Sequence, residues 1–153
     1  MIIEQRTCIY CGSDSSLIKE HVIPASFFGW RSSDSDKQWI VTGCETCNKL
    51  AGSYTCFSIP EKSTYLIKRY KQYFKKVLST PFWTEEELGE LQYTLRTAVI
   101  TGLEAKGVIN QKLKHLTEVS EYDIDYLRPL WVDRWMKEER KKQKLLNNKK
   151  QKQ

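Results

Sequence analysis

The sequence predicts an α+β fold in which a small, cysteine-rich core precedes a mostly helical extension. Residues 1–56 hold all five cysteines of the chain together with short β-prone runs. Residues 57–143 instead carry apolar side chains at helical spacing. Residues 144–153 contain so few apolar side chains that we expect a basic, disordered tail.

Two strands and one short helix are expected in the first segment. The runs LIKEHVI (17–23) and QWIVT (38–42) have the composition of two strands of a hairpin. The polar run RSSDSDK (31–37) is typical of the loop between them. The run CNKLAGSY (47–54) predicts a short helix that ends near Gly52.

The first helix of the extension is predicted from its N-terminal cap. Ser58 and Glu61 have the spacing of a capping box, and Pro60 lies where proline is tolerated in a first helical turn. Pro81 is expected to interrupt this helix. The apolar residues that recur at helical spacing between these points are Leu66, Tyr70, Tyr73, Phe74 and Val77.

Further helices are predicted from Thr84 onwards. Thr84 and Glu87 form a second capping-box pair, and an apolar stripe follows. Ser120 with Asp123 predicts a third helix start, and Pro129 is expected to break or kink that helix. The stripe after Thr84 consists of Leu88, Leu91, Leu95, Ala98 and Val99.

The formal net charge of +6 is carried by the C-terminal end of the chain. The chain has 25 Lys and Arg residues and 19 Asp and Glu residues. Residues 137–153 hold eight of the former and two of the latter, so residues 1–136 hold 17 of each. We therefore expect a polyanion to bind either a local basic patch within the neutral residues 1–136 or the basic tail itself.

Composition argues against a membrane protein. Hydrophobic residues make up 40% of the chain and charged residues 29%, which is typical of a globular domain. No apolar run approaches the roughly 20 residues that cross a bilayer. The N-terminus, MIIEQRTCIYCG, lacks the charged and then apolar pattern of a signal peptide. A cytoplasmic location without a membrane partner is expected.

Four cysteines form two CxxC pairs, CIYC (8–11) and CETC (44–47). Each pair can present two thiolates from one tight turn, and Zn²⁺ takes four such ligands tetrahedrally. A redox CxxC and four unrelated buried thiols are the alternatives, although a redox site needs one such pair in a βαβ context. Cys56 is expected to be a small buried hydrophobe. The spacing favours a structural zinc bound by Cys8, Cys11, Cys44 and Cys47.

Residues suited to phosphate chemistry lie between and after these pairs. Glu20 and His21 lie near the end of the first predicted strand, and Asn48 directly follows Cys47. Carboxylate and amide oxygens suit Mg²⁺ or Mn²⁺, and a neutral histidine accepts a proton near pH 7. Ordinary roles are open as well: Glu20 as a solvated charge, His21 as a structural residue or spare zinc ligand, and Asn48 as a helix cap.

The joint pattern CIYCG…EHVIP…CETCN resembles the HNH (ββα-metal) endonuclease superfamily, with the residue order of the recombination endonuclease VII group of phages. The resemblance covers residues 8–48. It implies a DNA endonuclease in which His21 is the general base and the four cysteines hold structural Zn²⁺. It further implies that Glu20 and Asn48 bind a catalytic Mg²⁺ or Mn²⁺.

The chain departs from that pattern in three places. The Asn common on the second strand or its loop is absent from residues 32–43, where Asp36 or Gln38 would substitute. Residues 28–30 read Phe-Gly-Trp where Gly-Gly is usual, and Ala51 stands where Lys is often found. A non-catalytic zinc module that binds nucleic acid is therefore the main alternative, and a structural protein with a helical interface is a third.

Lysines of the first extension helix are the candidate contacts to DNA phosphates. Lys68, Lys71 and Lys75 fall on one helical face, with tyrosines interleaved nearby. An ordinary amphipathic helix with a basic solvated side explains the same pattern. His115 is isolated in KLKHL and is expected to be structural.

Overall fold

The computed structural model describes residues 1–28 and 39–150, and it confirms the α+β class. A 3₁₀ turn (Ala25–Phe28) follows the second strand. None of the helices in the described part of the chain combines the length and the apolar character that a membrane span needs. The strands are β1 (Ile2–Ile3), β2 (Leu17–His21) and β3 (Ile40–Cys44), and the helices are α1 (Glu45–Ala51), α2 (Ile59–Tyr73), α3 (Lys75–Leu78), α4 (Glu85–Glu90), α5 (Tyr93–Ser120) and α6 (Leu130–Lys150).

The sheet has the strand order β1-β3-β2. β2 and β3 pair antiparallel through five residue pairs that end with His21 opposite Ile40, so the predicted hairpin is present. β1 pairs parallel with the other edge of β3, and this strand was not predicted because two residues carry no detectable period. Residues 29–38, among them the expected loop with Asp36 and Gln38, lie outside the described residues.

Helix α1 follows β3 without a connecting loop, because Cys44 both ends the strand and caps the helix. Its Sγ accepts a hydrogen bond from the N–H of Cys47 at 3.5 Å. The helix ends before Gly52, which has a φ of +55° that is unfavourable for residues with a side chain. The short helix predicted over 47–54 is thus present and begins two residues earlier, at Glu45.

Helix α2 begins as its capping pair predicts. The N–H of Glu61 donates to Ser58 Oγ at 3.1 Å. Leu66 and Tyr70 of the predicted apolar face are fully buried, whereas Tyr73 of the same face is 59% exposed. The N–H of Phe74, between α2 and α3, still donates to the carbonyl of Tyr70 at 2.9 Å, so the two helices are nearly continuous.

The region after Thr84 contains a short helix and then a long one. The capping box is confirmed, since the N–H of Glu87 donates to Thr84 Oγ1 at 3.2 Å and the N–H of Thr84 donates to Glu87 Oε2 at 2.7 Å. The prediction of one continuous apolar stripe is wrong. Leu91 and Gln92 have extended backbone that separates α4 from α5, and Leu95 is 54% exposed.

The predicted helix start at Ser120 is also wrong. Ser120 is the last residue of α5, and its hydroxyl donates back to the carbonyl of Thr117 at 2.7 Å instead of capping a new helix. Pro129 immediately precedes α6, which continues to Lys150, whereas we expected a disordered tail from residue 144. The Lys, Gln and Leu residues of this segment favour helix once the packed first turns have formed.

The buried core joins the cysteine-rich segment to the helical one. α2 makes its most extensive packing with α5, and both lie against the two cysteine turns. α5 contributes Leu116 and Val119 to this core, and α6 contributes Val132. The helices therefore pack against the first segment, which carries the candidate site residues.

Candidate metal centre and active-site cavity

The first cysteine turn is closed by its own backbone. The N–H of Gly12 donates to the carbonyl of Cys8 at 2.9 Å, with Gly12 at a φ of +71° that favours glycine. A Cβ at this position would also lie 3.2 Å from the ring of His115. The ring of His115, which extends from α5, therefore covers the first cysteine turn.

The two cysteine turns meet at one buried cluster. The four Sγ atoms of Cys8, Cys11, Cys44 and Cys47 lie within 4.8 Å of one another, and no disulfide joins them. The Sγ atoms of Cys11 and Cys44 are 3.7 Å apart. Tetrahedral zinc with bonds of about 2.3 Å places its sulfurs roughly 3.8 Å apart. The donor set therefore fits a structural Zn²⁺, as the spacing predicts.

Hydrogen bonds within the cluster favour a thiolate at Cys44, whereas they raise the pKa of Cys8 and of Cys47. The hydrogen bonds between Cys44 and the other thiols hold the pKa of Cys44 well below its usual range, and the bond with Cys11 contributes most. The hydroxyl of Tyr70 lies 3.4 Å from Cys47 Sγ. Burial, followed by the charge on Cys47, raises the pKa of Tyr70, so this hydroxyl stays protonated and can donate to the sulfur.

A cavity of about 300 Å³ lies beside the hairpin, and Glu20, His21 and Asn48 all line it. Strand β2 delivers Glu20 and His21, while the direct passage from β3 into α1 brings Asn48 alongside. Asn48 lies inside α1, whose N-cap is Cys44, so it does not serve as the helix cap. The structure brings together the three residues that the sequence pattern grouped.

Glu20 is buried and not a solvated strand-end charge, since its exposed fraction is only 4%. Its carboxylate lies against Gly43, where an added Cβ would come within 2.5 Å of Oε2. Burial raises the pKa of Glu20, and the ammonium of Lys62 opposes that shift. Oε1 forms an ion pair with Lys62, whereas Oε2 accepts no hydrogen bond from the described residues.

Lys62 is a residue of this cavity that was not predicted as a site residue. It comes from α2, is 2% exposed, and lines the cavity with Glu20. The signal was its spacing: Lys62, Leu66 and Tyr70 are four residues apart and share one helical face. A lysine in register with two core residues indicates a buried cation that needs a partner.

The three candidate DNA-contacting lysines do not reach this cavity. Lys68, Lys71 and Lys75 are exposed, and none of them lines it. At about 100° per residue, Lys68 and Lys71 lie on the side of α2 opposite Lys62, whereas Lys75 belongs to α3. The lysines that line the cavity, among those that the structure describes, are Lys19 and Lys62.

Fold and site together define the class of this protein: an α+β protein with a buried four-cysteine cluster suited to zinc. Comparison with models of protein families, with curated proteins and with solved structures found no match to the chain.

Proposed function

We propose that this protein is a zinc-stabilised, metal-dependent endonuclease that hydrolyses phosphodiester bonds of DNA. The observation that supports this proposal is the convergence of Glu20, His21 and Asn48 on one cavity next to the cysteine cluster. A zinc module without catalysis has no need for a carboxylate, an imidazole and an amide at one opening. The resemblance of residues 8–48 to HNH endonucleases points to the same chemistry.

In the proposed reaction, His21 acts as the general base. Its imidazole accepts a proton from a water molecule, whose oxygen then forms a bond to the phosphorus. The bond from phosphorus to the leaving oxygen breaks, and that oxygen departs with the electron pair and takes up a proton from solvent. His21 is half-buried and lines the cavity. Its backbone belongs to strand β2, and its ring keeps access to solvent.

The donor atoms of the cavity suit a weakly held divalent ion. Glu20 Oε2, which accepts no hydrogen bond in the described part of the chain, and the side-chain oxygen of Asn48 would hold it. Two protein ligands leave water and phosphate to complete an octahedron. A bound Mg²⁺ or Mn²⁺ would supply charge stabilisation for the phosphate and the leaving oxygen.

A second function is a non-catalytic zinc module that binds nucleic acid. The buried ion pair between Lys62 and Glu20 favours it, because a carboxylate that already has a counter-ion gains less from binding a metal ion. In that case the cavity beside the hairpin would have no catalytic role, and the protein would bind DNA without cutting it.

Plasmid nicking in the presence and absence of Mg²⁺ or Mn²⁺ tests the proposal. Wild type should nick only with metal, and His21→Ala should nick at least about 100-fold more slowly, the scale of losing a general base. Its DNA affinity should change little, because His21 moves a proton and does not hold the strand.

His115→Ala is the matched control, since the chain has two histidines and His115 lies outside the cavity. It should keep nicking activity, and its zinc content is measured on the same sample because His115 packs against Gly12 of the first cysteine turn. DNA binding without nicking under any metal condition would instead support the non-catalytic module. Equal nicking by wild type and His21→Ala would remove His21 as the base.

A further inference from the structure

The buried ammonium of Lys62 joins α2 to the end of strand β2. Its Nζ contacts Glu20 Oε1 in the ion pair and donates to the carbonyl of His21 at 2.9 Å and to that of Val22 at 3.3 Å. It also lies 5.5 Å from the centre of the Tyr10 ring, a favourable position for a cation. One side chain of the helical segment thus contacts three consecutive residues, of which Glu20 and His21 line the cavity.

We infer that Lys62 is a positioning residue of the active site, which clamps the Glu20 carboxylate and the backbone on which His21 stands. The inference deepens the proposed function and rests on it for its catalytic part. It also means that residues 1–56 do not form the whole site, because the clamp comes from α2.

The number of hydrogen-bond donors excludes a direct role for Lys62 in binding substrate. An ammonium group has three N–H donors, and three protein oxygens already lie around this one. Although Lys62 lines the cavity, at 2% exposure it offers little surface to solvent or to a molecule there. Lys62 therefore acts on the reaction through Glu20 and His21 and not by touching the phosphate.

The clamp fixes both partners for different physical reasons. A buried carboxylate needs an opposite charge, and Lys62 supplies it to Glu20. The peptide after His21 is held on both sides, because Lys62 binds the two carbonyls and the N–H of Val22 donates to the carbonyl of Trp39 at 2.9 Å. These contacts fix the backbone position from which the imidazole of His21 extends at the cavity wall.

The test replaces Lys62 with Met, an unbranched side chain that is shorter only by the terminal atom and removes the charge and the donors. The readout that needs no activity is the carbon-proton NMR signal of each histidine ring, recorded at one fixed pH. The signal of His21 should move or broaden, while that of His115 stays in place as an internal control. Zinc content should remain at one per chain. Lys76→Met, an exposed substitution in α3, should leave both signals unchanged.

Kinetics supply the second readout. Lys62→Met should lower the maximal nicking rate at least about tenfold with little change in the DNA concentration for half-maximal rate, and Lys62→Arg should recover part of the loss. An unchanged His21 signal together with an unchanged rate would overturn the inference. If wild type cuts no DNA, the proposed function fails, whereas the His21 signal still decides whether the clamp exists.

A second pair of variants keeps the test decisive if Lys62→Met does not fold, which loss of zinc or of the His115 signal would reveal. Glu20→Gln/Lys62→Met leaves no charge in the buried pair, and it is compared with Glu20→Gln alone. A different His21 signal in the two proteins supports the clamp, and an identical signal contradicts it.

Discussion

The Sγ atoms of Cys11 and Cys44 lie 3.7 Å apart although 33 positions separate them in the chain. They meet because β2 and β3 pair antiparallel in a register that places Leu17 opposite Cys44, so the start of the hairpin and its end are neighbours. A zinc ion bound here would close the hairpin into a loop and would link the first cysteine turn to α1. The geometry of the proposed cavity depends on that link, since Asn48 follows Cys47 directly.

The first prediction concerns zinc itself. Purified protein should contain about one zinc per chain, and Cys44→Ser should lose it and unfold the hairpin, because the binding energy of a structural zinc is also folding energy. Elemental analysis and circular dichroism measure the two effects. Cys56→Ser is the control and should keep its zinc, since Cys56 lies outside the four-cysteine cluster. A well-folded Cys44→Ser protein without zinc would contradict the assignment.

The second prediction concerns the hydroxyl of Tyr70, which lies 3.4 Å from Cys47 Sγ. Tyr70→Phe should keep the fold and weaken zinc binding by about 10- to 100-fold, the usual effect of losing a hydrogen bond to a metal ligand. Competition with a chromogenic chelator at fixed pH measures the affinity. Tyr73→Phe, an exposed substitution on the same helix, should behave as wild type. Coincident competition curves for all three proteins would count against the hydrogen bond.

Local signals in the sequence predicted the structure well. The capping pairs at Ser58 and Thr84 are hydrogen-bonded as expected, because caps involve residues three positions apart and depend little on the rest of the fold. The two CxxC turns and the hairpin between them were predicted for the same reason. The grouping of Glu20, His21 and Asn48 followed once the cysteine turns were assumed to meet.

Features that depend on distant parts of the chain were missed. β1 exists because it pairs with β3, far along the chain, in a register that places Ile2 beside Ile40. The continuous stripe after Thr84 failed because apolar spacing does not reveal the extended backbone at Leu91. The partner of Lys62 could not be predicted either, since the ion pair needs α2 to be packed against the end of β2.

The third prediction distinguishes the two proposed metals by their exchange. Brief treatment with EDTA should abolish nicking, and Mg²⁺ or Mn²⁺ should restore it, while zinc stays bound throughout. The reason is that four buried cysteines would hold zinc, whereas Glu20 and Asn48 would offer only two oxygens to the second ion. Zinc content is measured on the same samples. Undiminished nicking in EDTA would remove the proposed second site.

The fourth prediction concerns Cys56, which is fully buried and whose Sγ donates to the carbonyl of Val22 at 3.3 Å. Burial raises the pKa of Cys56 to about 12. Because the thiolate is the reactive form, at pH 8 only about one molecule in 10⁴ is reactive, and reactivity should rise only as the pH approaches that pKa. Iodoacetamide should leave Cys56 unmodified in native protein and label it after denaturation, as mass spectrometry of its peptide would show. Rapid labelling of native protein at pH 8 would contradict its burial.

The last prediction concerns the basic end of α6. The first turns of this helix are packed: Val132 is fully buried, and the ring of Trp135 lies 5.2 Å from Phe27 and 5.3 Å from Phe57. A chain that ends at Met136 keeps this packing and should remain folded. It lacks residues 137–153, which carry the whole net charge of +6. If this segment is an electrostatic tether, the truncated protein should bind DNA more weakly.

The salt dependence identifies the cause of the weaker binding. On duplex DNA, the slope of log affinity against log salt should become shallower by roughly 0.9 for each phosphate that the truncated protein no longer neutralises. A full-length variant with the eight basic residues and the two glutamates of 137–153 replaced by Gln keeps helix propensity and is as neutral as the truncated chain, so it should match the truncation if charge and not helix length is responsible. Single-turnover nicking at saturating DNA should survive in both proteins, because none of the described residues of this segment lines the cavity.

Unchanged affinity and slope would instead assign phosphate binding to Lys68, Lys71 and Lys75, or would argue that DNA is not the partner. Fluorescence anisotropy titrations at two salt concentrations separate these outcomes.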